Sequence, residues 1–183
     1  MNENPRISGI HHITAVASSA SENLAFYEEV LGLRLVKKTV NFDDPYTYHL
    51  YYGDAAGTPG TIITFFPWEN LPRGKTGAGI VTAIAFAIPT GSVDYWRSRL
   101  NAHGVETKEG ERFGDIFIQF MDPHGLSLEL IETPKLNATS HRSDDYRSAA
   151  QSIAGFHSAT SLLRSLEQTQ FLLVSLMGME LYG

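Results

Sequence analysis

The chain has 183 residues, and its 14 Lys and Arg stand against 20 Asp and Glu, a formal net charge of −6. No basic stripe exists to meet phosphates, which argues against nucleic acid as a partner. No apolar run reaches the ~18 residues of a membrane span and no charged-then-apolar leader opens the chain, so a cytoplasmic protein without a membrane partner is expected. With no cysteine, disulfides, thiolate metal sites and cysteine nucleophiles drop out together. Any metal must then be held by His and carboxylate.

Residues 10–17 read as a strand, in which adjacent His11 and His12 point to opposite faces and His12 shares its face with Thr14. Ser19-Ala20-Ser21-Glu22 is a capping box. It opens a helix with Leu24, Tyr27, Val30 and Leu31 at helical spacing, stopped at Gly32. Residues 33–40, 46–52 and 61–66 read as three further strands, with a Gly57-Thr58-Pro59-Gly60 turn before the last. In the second of these, His49 and Tyr51 alternate against Tyr48, Leu50 and Tyr52. Residues 67–79, rich in Pro and Gly, read as a linker. The order then repeats: a strand over 81–88, a helix over 92–103 ended by Gly104, a short extended piece over 106–108, and a strand over 116–121. Asp122-Pro123-His124-Gly125 makes a tight turn. A last strand, 126–132, sets Leu126, Leu128 and Leu130 against Ser127, Glu129 and Ile131.

The repeat has a measurable offset. Phe26-Tyr27 matches Tyr95-Trp96 (95 − 26 = 69), and Gly60 before one strand matches Gly125 before another (125 − 60 = 65). By the second offset Thr64 stands where Glu129 stands in the next copy. Further on, Gly155-Phe156-His157 echoes Gly9-Ile10-His11, and Gly178 echoes Gly32; both offsets are 146 (155 − 9 and 178 − 32). The expected organisation is an α+β fold of paired βαβββ modules forming a curved mixed sheet with an open cleft and helices outside. The modules would span 8–68 and 79–133 within one domain, 8–133. A polar linker over 134–152 and the start of a third, truncated module over 153–183 would follow, as in a protein about twice as long. A third module without its last strands predicts an unpaired sheet edge. Self-association, for instance as a homodimer, or a poorly ordered C-terminus is expected.

A carboxylate inside an otherwise apolar strand is costly to bury unless paired or bound to a metal. Glu129 therefore needs a partner, and His12, on the first strand of the first module, is the expected one. Imidazole plus carboxylate without sulfur suits Fe(II), Mn, Ni or Zn. His49, with an ordinary imidazole pKa, could serve as an acid or base or be a surface histidine. Phe65, Phe66 and Trp68 read first as core.

His12, Phe26-Tyr27, Gly32-Leu33, Asp122-Pro-His-Gly125 and Leu128-Glu129-Leu-Ile-Glu132 together resemble the vicinal oxygen chelate superfamily of glyoxalase I, bleomycin-resistance proteins and extradiol dioxygenases. Gly9-Ile-His-His-Ile-Thr14, residues 33–41, Tyr48-His-Leu-Tyr-Tyr-Gly-Asp54 and Gly57-Thr-Pro-Gly-Thr61 look like the ring-cleaving dioxygenases that act on hydroquinone-type rings. The resemblance implies a divalent metal, Fe(II) first, as template and Lewis acid for a small hydroquinone- or catechol-like aromatic and O2. It implies His12 and Glu129 as metal ligands, with His49 for proton transfer and Thr14, Tyr51, Thr64 and Phe66 lining the substrate pocket. Thr64 and Ala83 stand at the other two ligand-type positions and depart from the pattern. Two alternatives follow: a glyoxalase-like lyase or isomerase with Glu129 as base, and a metal-free small-molecule binding module.

Overall fold

The computed structural model describes residues 7, 9–69, 71, 72, 74–134 and 151–182. Most of the expected linker, 135–150, lies outside them. Strand β1 (His12–Ala17) leads into helix α1 (Ala20–Leu24), which continues as a π-helical segment, Ala25–Val30. Ser19 caps it as expected, its Oγ accepting from the Glu22 N–H at 3.3 Å. Strands β2 (Arg34–Val40), β3 (Tyr48–Gly53) and β4 (Ile62–Pro67) complete the unit. The next unit runs β5 (Ile80–Ile88), α2 (Val93–Ala102), β6 (Lys108–Arg112), β7 (Asp115–Met121) and β8 (Ser127–Glu132). Strand β9 (Gly155–Leu162) and helix α3 (Glu167–Gln170, then a π-helical segment Phe171–Leu176) follow.

The strands form two open sheets, β1-β4-β3-β2 and β6-β7-β8-β5-β9. In both units the first strand pairs parallel to the last, and the last three pair antiparallel. Between the sheets and helices lies one core, shared by both units, with Tyr27, Leu50, Tyr52, Ile63, Phe65, Phe86, Trp96, Ile118, Leu128 and Leu130 at its centre. The alternation read from the sequence sets this face, and it leaves the other face of each sheet to carry polar side chains.

The two units match in hydrogen bonding as well as order. Asp54 Oδ1 accepts from the N–H groups of Ala56 and Thr58, and Asp122 Oδ1 from those of His124 and Leu126. The turns are thus offset by 68 (122 − 54). Strands β4 and β8 are offset by 65 (127 − 62), so the first unit carries three extra residues between turn and strand. Gly57, not Gly60, is then the counterpart of Gly125 (125 − 57 = 68), each donating to its aspartate's carbonyl. Gly60 is one of the three extra residues: its N–H donates to His11 O and its carbonyl accepts from Phe156 N–H, each at 2.7 Å.

Helix α3 repeats α1 at the offset of 146. Leu31 N–H donates to Phe26 O and Met177 N–H to Leu172 O, both at 3.0 Å, while Leu33 to Tyr27 and Met179 to Leu173 are both 2.9 Å. Strand β9 is paired along β5, antiparallel. It ends its sheet, as β1 ends the other, and no further strand covers either outer edge among the described residues. Where β9 meets the first unit, Gly155 has φ 128° and a Cβ there would lie 2.7 Å from Gly60 O. Gly155→Ala is therefore expected to cost about 1–3 kcal/mol, read as a lower urea midpoint with faster amide exchange confined first to β9.

One element differs from the sequence reading. The extended piece expected over 106–108 is strand β6, Lys108–Arg112, joined to β7 by the two-residue turn Phe113-Gly114. Both turn residues have positive φ, 55° and 84°, the geometry that matches the twist of a hairpin.

Candidate functional site

The outer face of the first sheet gathers most of the residues singled out from the sequence. Strand register puts Thr14 beside Thr64 and Thr64 beside Tyr51. Tyr51 Oη lies 2.8 Å from His49 Nδ1, His49 Nε2 lies 3.0 Å from Thr64 Oγ1, and Thr64 donates to Thr14 Oγ1 at 2.9 Å. Because Thr64 donates onward, its oxygen is free to accept from His49 Nε2–H, leaving Nδ1 to accept from Tyr51. A neutral imidazole satisfies this run with every donor pointing one way, ending at the exposed Thr14 hydroxyl. Phe66 packs against the His49 ring, tilted by 34° with centroids 4.0 Å apart, and Trp68 stacks on Phe66 at 5.5 Å. Thr64 is 1% exposed beneath this cover. Phe66 and Trp68, read first as core, lie half-buried on this face.

His12 is exposed at one end of β1, with its Nδ1 3.1 Å from His11 Nδ1. Burial pushes the His49 pKa below the ordinary imidazole value, and Lys37 and His12 add like-charge repulsion. The unfolded chain then binds more protons below about pH 6.5. Stability is full above that pH and falls as pH drops toward the folded value. A urea-melting series from pH ~7.5 to ~5 should show this decline, smaller in His49→Gln.

Glu129 faces outward from the second sheet, and its partner is Arg112, not His12. Arg112 Nη1 donates to Oε2 at 3.0 Å and Nη2 to Oε1 at 2.9 Å. Register explains the separation. His12 pairs with Ile62 and Thr14 with Thr64 in the first sheet, while Ala85 pairs with Glu129 in the second. Ala83 is thus the second unit's counterpart of His12, and Thr64 the first unit's counterpart of Glu129. The first sheet keeps a histidine without the carboxylate, and the second a carboxylate without the histidine. His157 lies near the Glu129 face, its Nε2 4.0 Å from Asp115 Oδ2. Burial pushes its pKa down, with Asp115 opposing. Among the described residues no three His, Cys, Asp or Glu side chains come together to hold a metal ion.

Arg112 is the residue that sequence reasoning missed. Its signal was Gly114-Asp115 closing a hairpin on Lys108-Glu-Gly-Glu-Arg112, a strand with no apolar alternation to announce it.

A sequence profile described as the Glyoxalase/Bleomycin resistance protein/Dioxygenase superfamily matches residues 9–130, and the chain belongs to that superfamily. It is 46% identical over 175 residues to MhqO of Bacillus subtilis, named as a ring-cleaving dioxygenase, across 96% of this chain and 56% of that protein. It is 35% identical over 167 residues to the chlorohydroquinone/hydroquinone 1,2-dioxygenase of Sphingobium indicum, across 89% of this chain and 52% of that one. A crystal structure titled as a dioxygenase from Bacillus subtilis superposes with a TM-score of 0.90 at 45% identity, covering 97% of this chain and 57% of that chain. The chain spans about half the length of the curated relatives it matches. Among the described residues no helix is long and apolar enough to cross a membrane.

Proposed function

We propose that this chain carries the aromatic-binding face of a ring-cleaving dioxygenase-type protein acting on hydroquinone- or catechol-like compounds. The observation that supports it is the one-way hydrogen-bonded run Tyr51–His49–Thr64–Thr14, bordered by the Phe66 and Trp68 rings and by His12. A flat ring lies against the aromatic edge of this face. Its oxygen accepts from the Thr14 hydroxyl, whose proton the run leaves free. Passing that proton to the ring oxygen moves each hydrogen one step along the run: Thr64 reprotonates Thr14, His49 Nε2 reprotonates Thr64, and Nδ1 takes the Tyr51 proton. The imidazole thus changes tautomer and stays neutral, while the Tyr51 oxygen recovers its proton from water. The depressed His49 pKa keeps that imidazole neutral at physiological pH, the state the relay needs.

Fe(II), within the divalent class that includes Mn, Ni and Zn, is the ion proposed for the whole protein, with His12 as this chain's ligand. The described residues do not by themselves form its shell, since His12 has no carboxylate beside it and both oxygens of Glu129 are engaged by Arg112. The same engagement removes Glu129 as the base of a glyoxalase-like lyase or isomerase. It favours as second reading the metal-free module that binds aromatics on the same face.

Oxygen uptake with a hydroquinone and catechol panel after Fe(II) loading, with metal analysis of wild type and His12→Ala, separates the two. Uptake that His12→Ala abolishes supports the dioxygenase. Saturable quenching of tryptophan fluorescence by the ring without uptake supports the binding module. On either reading His49→Ala is expected to weaken ring binding about 5–10-fold, the worth of one hydrogen-bonded contact. Unchanged binding would remove this face from the site.

A further inference from the structure

The face of the second sheet holds a cation of its own. Glu129 is 1% exposed and Arg112 37% exposed, and their two parallel bonds of 2.9 and 3.0 Å are the bidentate form in which a guanidinium grips a carboxylate hardest. Arg112 Nη1 also reaches Thr160 Oγ1 at 3.4 Å, and its Cζ lies 4.9 Å from the centre of the Phe117 ring. Arg112 stands on β6 and Thr160 on β9, the two outermost strands of the order β6-β7-β8-β5-β9. One side chain therefore ties both edges of a five-stranded sheet to its buried middle, which requires the sheet to curl around it. Other charged groups on this face are Lys108, which the register sets across Gln119 from Glu129, and Asp115 and His157, 4.0 Å apart. Ala83 and Ala85, on β5, offer no donor atoms.

The geometry points to Arg112 as a resident cation: its guanidinium holds the place of a metal ion over Glu129, keeps this face metal-free, and clasps the first strand of the third module onto the second. A divalent ion would have to displace a fixed positive charge already bonded to both carboxylate oxygens, with no imidazole on β5 to compensate. Glu129 is then a structural carboxylate. Nothing here depends on the activity proposed for the His12 face, because the two faces belong to different sheets.

Titration of the full chain with MnCl2, followed by the EPR signal of free Mn(II), tests the inference. Glu129→Gln is expected to leave whatever Mn(II) affinity the wild type has within about twofold, whereas loss of a true ligand costs at least about tenfold. Arg112→Met, which uncovers the carboxylate, is expected to gain Mn(II) affinity by about tenfold or more, and adding Glu129→Gln should cancel that gain. A tenfold loss in Glu129→Gln alone, or no gain in a folded Arg112→Met, overturns the inference. Should Arg112→Met fail to fold, Arg112→Lys keeps the charge and gives up the fork. It is expected to bind Mn(II) as the wild type does, while amide exchange of Ala159 to Ser161 quickens about tenfold or more. Exchange at the wild-type rate in Arg112→Lys would overturn the clasp.

Discussion

Arg112→Met should lower the folding free energy by about 3–5 kcal/mol near neutral pH, because it strands the buried carboxylate of Glu129. Urea melts of the purified chain would read the loss as a shifted midpoint with an unchanged slope. The second half of the cycle is the sharper test. Arg112→Met/Glu129→Leu is expected to recover most of what the single change loses, since apolar replacement of both partners removes the desolvation cost along with the attraction. A double mutant that loses the sum of both single effects would mean that the two residues act independently, contrary to their bidentate contact. Arg97, bonded to Asp94 and Glu109 on the exposed side of α2, is the natural control. Its pairs are solvated and screened, so removing it should leave the midpoint nearly where it was.

Asp122→Ala is expected to have an effect of similar size by a different route. Asp122 is 4% exposed and holds three donors: the N–H groups of His124 and Leu126, which fix the turn, and the Tyr27 hydroxyl at 3.2 Å. Tyr27 is fully buried, and burial first and Asp122 second hold its phenol pKa well above the usual value. Alanine would leave that hydroxyl and two backbone donors without acceptors, a loss of about 3–5 kcal/mol. Asp54 does the same for its own turn without a bond to the other unit. Asp54→Ala should therefore cost only about 1 kcal/mol, as a turn-capping contact does. Equal losses at the two positions would show that the Tyr27 bond adds nothing and that the turns alone matter.

The parts of the fold that rest on local chemistry were legible in the sequence. Ser19 and Glu22 fixed where α1 begins, Gly32 where it stops, and the leucine alternation after Asp122 fixed which side of β8 is core. The first-sheet face was legible as parity: Thr14, Tyr51, Thr64 and Phe66 each fall on the polar side of their strand. Their meeting in one hydrogen-bonded run was not, because it depends on the register of β1 with β4 and of β4 with β3, and a slip of one residue reverses every side chain. The pairing of Glu129 failed for a traceable reason. Lys108-Glu-Gly-Glu-Arg112 carries no apolar periodicity and its hairpin turn places a phenylalanine at positive φ, so the strand that delivers Arg112 did not announce itself. With no arginine in view, His12 stood as the nearest chemical complement.

The three residues that the first unit carries beyond the second have a consequence for how interchangeable the copies are. Through Gly60 they give the first unit a backbone grip on both its own first strand and β9, using main-chain atoms that no side-chain substitution could supply or remove. Grafting the shorter Asp122 turn into the Asp54 position would preserve the carboxylate's bonds to its turn and still sever that grip. The duplicated halves have become distinct parts, so a chimera built from two second units would lack the joint on which β9 is seated.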